Sequence, residues 1–597
     1  MLKKCISTIL CCLIILSLAA CGVLEDSSQT PGVSDPTIST TEPVPVEELL
    51  LYEKLFDPNT LVEIDIQMSE EELQKMQDDY DYYSSIGSKS PIYRRANVVI
   101  TLDGTAYEIE DVGVRMKGNT SRMPFYDQEQ GIYNAIHFKL DFQETFDDEG
   151  YYGADAQQWS SKELRQERKN RTFATLEKLE LRWNKCVDST YLREGYAYDL
   201  YSAHGVLAPR VNQCSMDWSG VHLGVYTVNE PVDEVFLAKR LPVEDLGGDL
   251  YKCSYADFTN IGSIGIENED KSEFYSYDLK TNKKTSQHET LITLIRTLNS
   301  GMVTKESFAQ LVDVENFLNY AAVSWYVGNP DDLRNYYCNY YLYFLKSSGK
   351  AIIIPYDCDR VFGSAVHWDP SGHALTRDNP FSAYCHDTNE EQRNPLYLYS
   401  VVEGGWYVRE FAQVLERVST DPLLSPDTFA QRFSIAQQLY GNYVTPSKTL
   451  HNIGGGIPFD LKKTASVGSG QNLSYREFMI RKLGSLPSFL NKVDQYATAT
   501  PHYKETKYYI RGSFNGWSIQ EEYCMTVTDG LLTYRLSFEV PFQFKIFRQD
   551  NSIWMGTEVL SPDTTVPYEN VSNIALQPGT YDVTYDPSTG YIHLTQI

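Results

Sequence analysis

The sequence predicts an α+β chain followed by a separate all-β domain. Three observations lead there. Strand-like alternation dominates from Asn97 to about residue 270. Helical periodicity takes over from about Ser286. After a linker at 497–507, short alternating strands fill residues 508–597. A length of 597 residues allows two to four domains, and 42% hydrophobic content is ample for their cores.

Charge excludes whole classes of partner. The formal net charge is −28, which repels nucleic-acid phosphates and opposes broad adsorption to anionic membranes. The 44 tyrosines point to broad aromatic surfaces or clefts. At the N-terminus, Lys3 and Lys4 precede an apolar stretch that ends in Leu18-Ala19-Ala20-Cys21. The stretch is short of the roughly 20 residues a membrane span needs. It resembles a bacterial lipobox, which implies a signal peptide over 1–21 and lipidation of Cys21. The expected location is the extracellular face of the bacterial cell membrane, held by the lipid anchor alone. Residues 22–48 are rich in Ser, Thr, Pro and Asp, the composition of a flexible tether. The cysteines beyond Cys21 are Cys186, Cys214, Cys253, Cys338, Cys358, Cys385 and Cys524. They lack CxxC pairs and are odd in number, so neither a zinc site nor a disulfide framework is expected.

The first folded part begins near Leu49. Asn97–Leu102, the turn Asp103-Gly104 and Tyr107–Lys117 read as a hairpin. The following Gly118-Asn119-Thr120-Ser121 is either a plain turn or a phosphate nest. In Ile136–Phe142, alternation puts His137, Lys139 and Asp141 on one face and Phe138, Leu140 and Phe142 on the other. Residues 145–170 are polar, as in a loop or insertion. Ser189 is placed to cap a helix that contains Glu194 and stops at Gly205. A second hairpin spans Asn212–Asn229, and Glu230-Pro231 opens the next helix. Leu250–Lys252 is a short strand. Helices are expected at Glu289–Asn299, Ser307–Tyr326 and Ser474–Tyr496. A β-rich lobe followed by a helical lobe is compatible with a two-lobed phosphotransferase and with many other α+β folds.

The stretch that organises the chain is Gly328–Asp332 with Asn335–Gly363, NYYCNYYLYFLKSSGKAIIIPYDCDRVFG. Tyr340–Leu345 and Ala351–Pro355 read as strands joined by turn residues. Antiparallel pairing places Asp331, Asp332 and Asn339 beside Asp357 and Asp359 at the hairpin's open end. Hard oxygen donors gathered in this way suit Mg²⁺ or Mn²⁺, and such a cation can hold phosphates. A solvated acidic loop is the alternative.

Gly113–Ser121, YLREGYAYDLYSAHGVLAPRV, GVYTVNEPVDEVFL, LYK, GNPDD…NYYLY and IIIPYDCDRVFG resemble the CotH family over roughly residues 60–490. The resemblance implies a two-lobed protein-kinase-like CotH domain, spanning 49–496, with ATP and Mg or Mn as cofactors. It implies transfer of phosphate from ATP to hydroxyl side chains of a secreted or surface protein. Asp331 falls at the position of the catalytic base, with Asp332 adjacent. The stretch to Asn339 is a few residues longer than the family usually has, which leaves the choice between the two open. Asn339 and Asp357 resemble the metal-holding pair, and Asp359 follows. Lys117, Lys139 and Lys252 are candidates to steady the phosphates, with Arg115 beside them and Glu230 to orient the lysine. The sequence does not choose among the lysines.

The C-terminal domain, 508–597, reads as a β-sandwich. Arg511–Trp517 and Phe542–Phe547 resemble starch-binding and glycogen-binding modules, which implies an α-glucan or other polysaccharide partner. Trp517, Trp554 and Tyr508 are the residues placed to stack on sugar rings. The alternative is a sandwich whose aromatic residues fill its core. Two functions therefore stand: a lipid-anchored protein kinase, or a catalytically inactive kinase fold that binds glycans or partner proteins through its C-terminal module.

Overall fold

Apolar side chains at alternating positions of seven strands between Val62 and Asn229 fill a closed barrel. In the computed structural model its strands are β1 (Val62–Gln67), β2 (Arg94–Leu102), β3 (Thr105–Lys117), β4 (His137–Asp141), β5 (Lys178–Trp183), β6 (Val211–Trp218) and β7 (Val221–Asn229). Around the barrel they run β1-β2-β3-β4-β5-β7-β6, and β6 closes it by parallel pairing with β1, Ile64 opposite Met216. Inside, Phe138 stacks on Trp218 at 5.1 Å between ring centroids, and Phe125 meets the same indole edge-on at 4.5 Å. The period of two turns the other side chains of β3, β4 and β5 outward: Arg115 and Lys117, then His137, Lys139 and Asp141, then Lys178, Glu180 and Arg182. The register sets Lys139 directly between Arg115 and Glu180.

The structure describes residues 45–118, 122–127, 129, 131–364, 374–384, 391–444, 457–462, 473–550, 552–557, 565–567 and 572–597. Cys21, Asn119, Thr120, Ser121 and Cys385 lie outside them. Val46–Ile597 form one compact unit. Among the described residues, no helix is long and apolar enough to cross a membrane.

A second sheet follows the barrel. Its strands are β8 (Leu250–Cys253), β9 (Ile264–Gly265), β10 (Tyr277–Leu279), β11 (Tyr340–Phe344) and β12 (Ala351–Pro355), in the order β9-β10-β8-β11-β12. β11 and β12 are the hairpin read from the sequence, Tyr340 opposite Pro355, and all ten residues are buried. That double burial explains their unbroken apolar run. Three of the helices that pack around it matter for the site: α1 (Arg193–Ala203), α2 (Glu289–Asn299) and α3 (Val314–Val327).

Five boundaries differ from the sequence reading. The helix expected to open at Glu230-Pro231 is Glu234–Ala238, capped by Asp233, and the expected helix 474–496 is two helices, Tyr475–Leu490 and Val493–Ala497. The Asp188 carboxylate, not Ser189, takes the backbone N–H groups of Leu192 and Arg193 at the head of α1; the Ser189 hydroxyl donates to the Asp460 carbonyl at 2.7 Å. A carboxylate is the stronger acceptor at a helix N-terminus. The expected helix 307–326 is two helices, Lys305–Leu311 and α3. Between them Val312 pairs with Ala351, and Asp313 caps α3 by accepting from Asn316 N–H at 3.0 Å. Residues 145–170 are ordered into short helices, whose Arg168 lies buried over the rings of Phe146 and Trp159 at 4.8 and 5.1 Å.

From Tyr508 the chain forms two further sheets around a core that includes Ile510, Phe544, Ile546, Leu536 and Val583. This part is docked on the rest. Arg296 of α2 pairs with Asp586 at 3.0 Å, and Tyr503 packs on Tyr399 at 4.6 Å. Molecule-wide, the chain is a mixed α+β protein.

Candidate functional site

The site forms where the outward face of β3-β4-β5 meets the open end of the β11–β12 hairpin. α3 ends at Gly328, whose φ of +60° starts the turn that carries Asp331 and Asp332. The two aspartates differ sharply. Asp332 is 4% exposed, and its Oδ1 accepts from the backbone N–H groups of Arg334 and Asn335 and from Asn335 Nδ2 at 2.9–3.0 Å. Its Oδ2 accepts from the Ser324 hydroxyl. It holds the turn together. Asp331 is half-buried; burial, followed by the charge of Asp359, pushes its carboxyl up to about 6 against the opposing amide of Asn339.

Asn339 ties the two sides of the site. Its Nδ2 donates to the Asp331 carbonyl at 2.8 Å, and its own carbonyl accepts from Tyr356 N–H at 3.1 Å. Asn339 and Asp357 both adopt left-handed φ, +55° and +53°. Such conformations are strained outside glycine and cluster at functional sites.

Arg182 is the hub. From β5 it pairs with Glu194 of α1 and with Asp357 past the hairpin. Tyr198, one turn on from Glu194, donates to the same carboxylate at 3.4 Å and accepts from Cys358 N–H at 3.3 Å. Burial pushes the Glu194 carboxyl up even beside Arg182. Asp359 accepts from the Cys186 thiol at 3.0 Å and lies 3.9 Å from Arg360.

Cations line the barrel side. Lys117 pairs with Glu180 and donates to the Tyr356 hydroxyl at 3.1 Å. Lys252 of β8 sits 4.4 Å from the centre of the Tyr356 ring. Lys139 faces Glu180 across the strands. Burial drives its ammonium down to about 7, Glu180 opposing and Arg115, Lys178 and Lys117 adding to the fall. Arg115 lies over the Tyr93 ring at 4.8 Å and donates to the Ser90 carbonyl at 3.2 Å.

Glu230 is elsewhere. Its buried carboxylate accepts from Tyr52 at 2.8 Å, from Arg210 N–H at 3.1 Å and from Arg240. It meets none of the candidate lysines: its carboxylate is taken up by Tyr52, Arg210 N–H and Arg240, which follows the short helix Glu234–Ala238. The helix glutamate that meets a strand-borne cation at this site is Glu194, paired with Arg182. The residues missed from the sequence are therefore Glu180, Arg182, Glu194 and Tyr356. A signal existed for two of them: in Lys178–Trp183, KLELRW, Glu180 and Arg182 share one face of an otherwise apolar strand.

The donor set around the hairpin end is carboxylate and amide oxygen, which fits a hard divalent cation. Among the described residues, no group of three or more His, Cys, Asp or Glu side chains lies close enough to hold a metal ion by itself. A cation held largely through phosphates and water needs only one or two carboxylates.

In the C-terminal sandwich, Trp517 and Trp554 are half-buried with ring centroids 6.2 Å apart. Arg511 lies over Trp554 and Phe547 at 4.1 and 4.5 Å. Tyr508 is 1% exposed and belongs to the core, so it offers no sugar platform.

Two comparisons bear on this geometry. Residues 153–444 match the family described as CotH kinase protein, and the matched stretch holds Arg182, Glu194, Asp331, Asn339, Asp357 and Asp359. The match is narrower than residues 60–490. The chain is also similar to the inner spore coat protein H of Bacillus subtilis (strain 168), 29% identical over 187 residues. That alignment covers 30% of this chain and about half, 49%, of the relative.

Proposed function

We propose that the chain is a lipid-anchored, secreted phosphotransferase with a kinase-like two-lobed domain, moving phosphate from ATP to hydroxyl side chains of surface proteins. The observation that carries this reading is the bridge from Glu194 through Arg182 to Asp357, with Asp331 joined to Asn339 beside it. Protein kinases need a strand-borne cation paired with a helix glutamate, next to a metal-holding aspartate and a base. Here the cation is arginine, which keeps its charge at any working pH.

Asp357 and Asn339 would hold Mg or Mn, with Asp359 beside them; the cation supplies charge neutralisation at the phosphates. Lys117, Lys139 and Lys252 face the same space and balance phosphate charge. Asp331 accepts the proton of the acceptor hydroxyl, since Asp332 is buried and its carboxylate is already held by Arg334 N–H, Asn335 and Ser324. The relative's spore-coat name supports a surface location, as does the lipobox at Cys21.

A second reading rests on the Trp517–Trp554–Arg511 layer. In it the kinase-like domain is inactive and the sandwich binds an α-glucan or other polysaccharide. The separating experiment is a nucleotide titration of the purified full chain with Mn²⁺. Saturable ATP binding supports the first reading, and its absence, with glycan retention, supports the second.

A further inference from the structure

We propose that Tyr255 and Phe274 form the docking platform for the acceptor segment of a protein substrate, taking an apolar side chain close in sequence to the hydroxyl that receives phosphate. This rests on the phosphotransferase reading and names the feature of the substrate it selects.

Both rings are open to solvent, 67% and 58% exposed, in a chain that buries most of its aromatics. They pair with each other at 6.3 Å between centroids. Exposed aromatics of this size are enriched where proteins bind, and a lone exposed ring needs no explanation whereas a pair beside a candidate base does. The position is on the loop of Asp331: Tyr255 meets Cys338, whose N–H donates to the Asp332 carbonyl at 3.2 Å, and the next residue, Asn339, donates to the Asp331 carbonyl at 2.8 Å.

Tyr255 is also held. Its φ is +54°, a conformation that costs a bulky residue and persists only where neighbours impose it. Its own N–H donates to the Cys338 sulfur at 3.3 Å, and Ala256 N–H donates to the Tyr337 carbonyl at 2.9 Å. Tyr337 and Cys338 are the residues just before Asn339. Arg393 lies 5.0 Å over the Tyr337 ring and pairs with Asp257 at 2.9 Å, pinning the same turn. Ser254 N–H donates to the Ser276 carbonyl at 3.0 Å, which joins the segment of Tyr255 to that of Phe274. The platform is thus fixed to the loop between the candidate base and the candidate metal-holding amide. A peptide laid across it brings its hydroxyl to Asp331. The pair has the chemistry to stack a sugar instead, and that occupant is an outcome of the test.

The test uses the full-length chain in detergent, Mn²⁺, labelled ATP and a peptide library with one fixed serine. Wild type should favour peptides with an aromatic or branched aliphatic residue near the serine. Tyr255→Asn, which suits the left-handed backbone, and Phe274→Ser should each raise the KM for such a peptide about tenfold, the loss of one buried aromatic contact, with kcat and nucleotide affinity changed far less. Nucleotide affinity also reports folding of each variant. Active wild type with no side-chain preference, or variants with unmoved KM, would overturn the platform alone. Wild type without nucleotide binding overturns the underlying reading and the platform with it. If Tyr255→Asn instead abolishes retardation in an α-glucan gel and leaves KM unmoved, the surface belongs to a sugar and the proposal fails.

Discussion

Asp331 and Asp332 are neighbours with different tasks. Burial pushes the Asp332 carboxyl up against the hydrogen bonds of Ser324 and Asn335, yet those donors depend on it, so Asp332→Ala leaves buried N–H groups unpaired and should destabilise the fold by about 2–3 kcal/mol, readable by denaturant unfolding. Asp331 has its folded-state pKa raised to about 6, above the unfolded value. Between about 4 and 6 the folded state holds the extra proton, so stability falls as pH rises through that window. Asp331→Asn should flatten this fall and stabilise the protein at pH 7–8 by on the order of 1 kcal/mol after solvent discounting. The same change should abolish phosphate transfer, and wild-type transfer should rise with pH through about 6 as the base ionises. A residue whose removal improves stability and ends activity is retained for chemistry, not for folding.

At the scale of elements, packing around the site depends on a fully buried pair. Lys482, in the helix Tyr475–Leu490, donates to Asp378 at 2.5 Å and lies 4.0 Å over the Trp325 ring of α3. Lys482→Met takes the buried cation away from the Asp378 carboxylate and should cost about 3–5 kcal/mol, while Lys482→Met with Asp378→Leu recovers most of it in thermal unfolding. Sequence patterning reached some elements and not others for physical reasons. The hairpin was legible because Tyr340–Phe344 and Ala351–Pro355 are apolar throughout and Lys346–Lys350 is turn chemistry. Asp331, Asn339, Asp357 and Asp359 followed from the hairpin's antiparallel register. The break at Val312 was not legible, since Val312 is apolar in either conformation and its pairing partner Ala351 is distant in sequence. The Arg182–Glu194 pair was hidden likewise: a strand arginine and a helix glutamate become partners only once α1 folds back on β5. Glu230 looked like the helix glutamate because it precedes Pro231, and only tertiary packing assigns it to Arg240.

Across the whole molecule, the sandwich is docked on α2 through Arg296–Asp586, and its aromatic layer is open enough to be tested without unfolding it. Trp517→Ala should weaken retardation by an α-glucan about tenfold if the layer binds sugar, a stacking contribution on the order of 1–3 kcal/mol. Unchanged migration with lowered stability would assign the layer to packing. Against a net charge of −28, Arg115, Lys117, Lys139, Lys178 and Arg182 share the outward face of β3-β4-β5, with Lys252 on β8, and this is the face on which the proposed phosphate binding rests. The central claim is that this cleft transfers phosphate through the group that Arg182 and Asp357 organise. The direct measurement is incorporation of label from γ-labelled ATP into the full chain or a protein acceptor, with Mn²⁺ or Mg²⁺, for wild type and Asp357→Ala side by side. The account predicts label in wild type and none in a folded Asp357→Ala; no label in wild type with either metal, or equal label in both proteins, would contradict it.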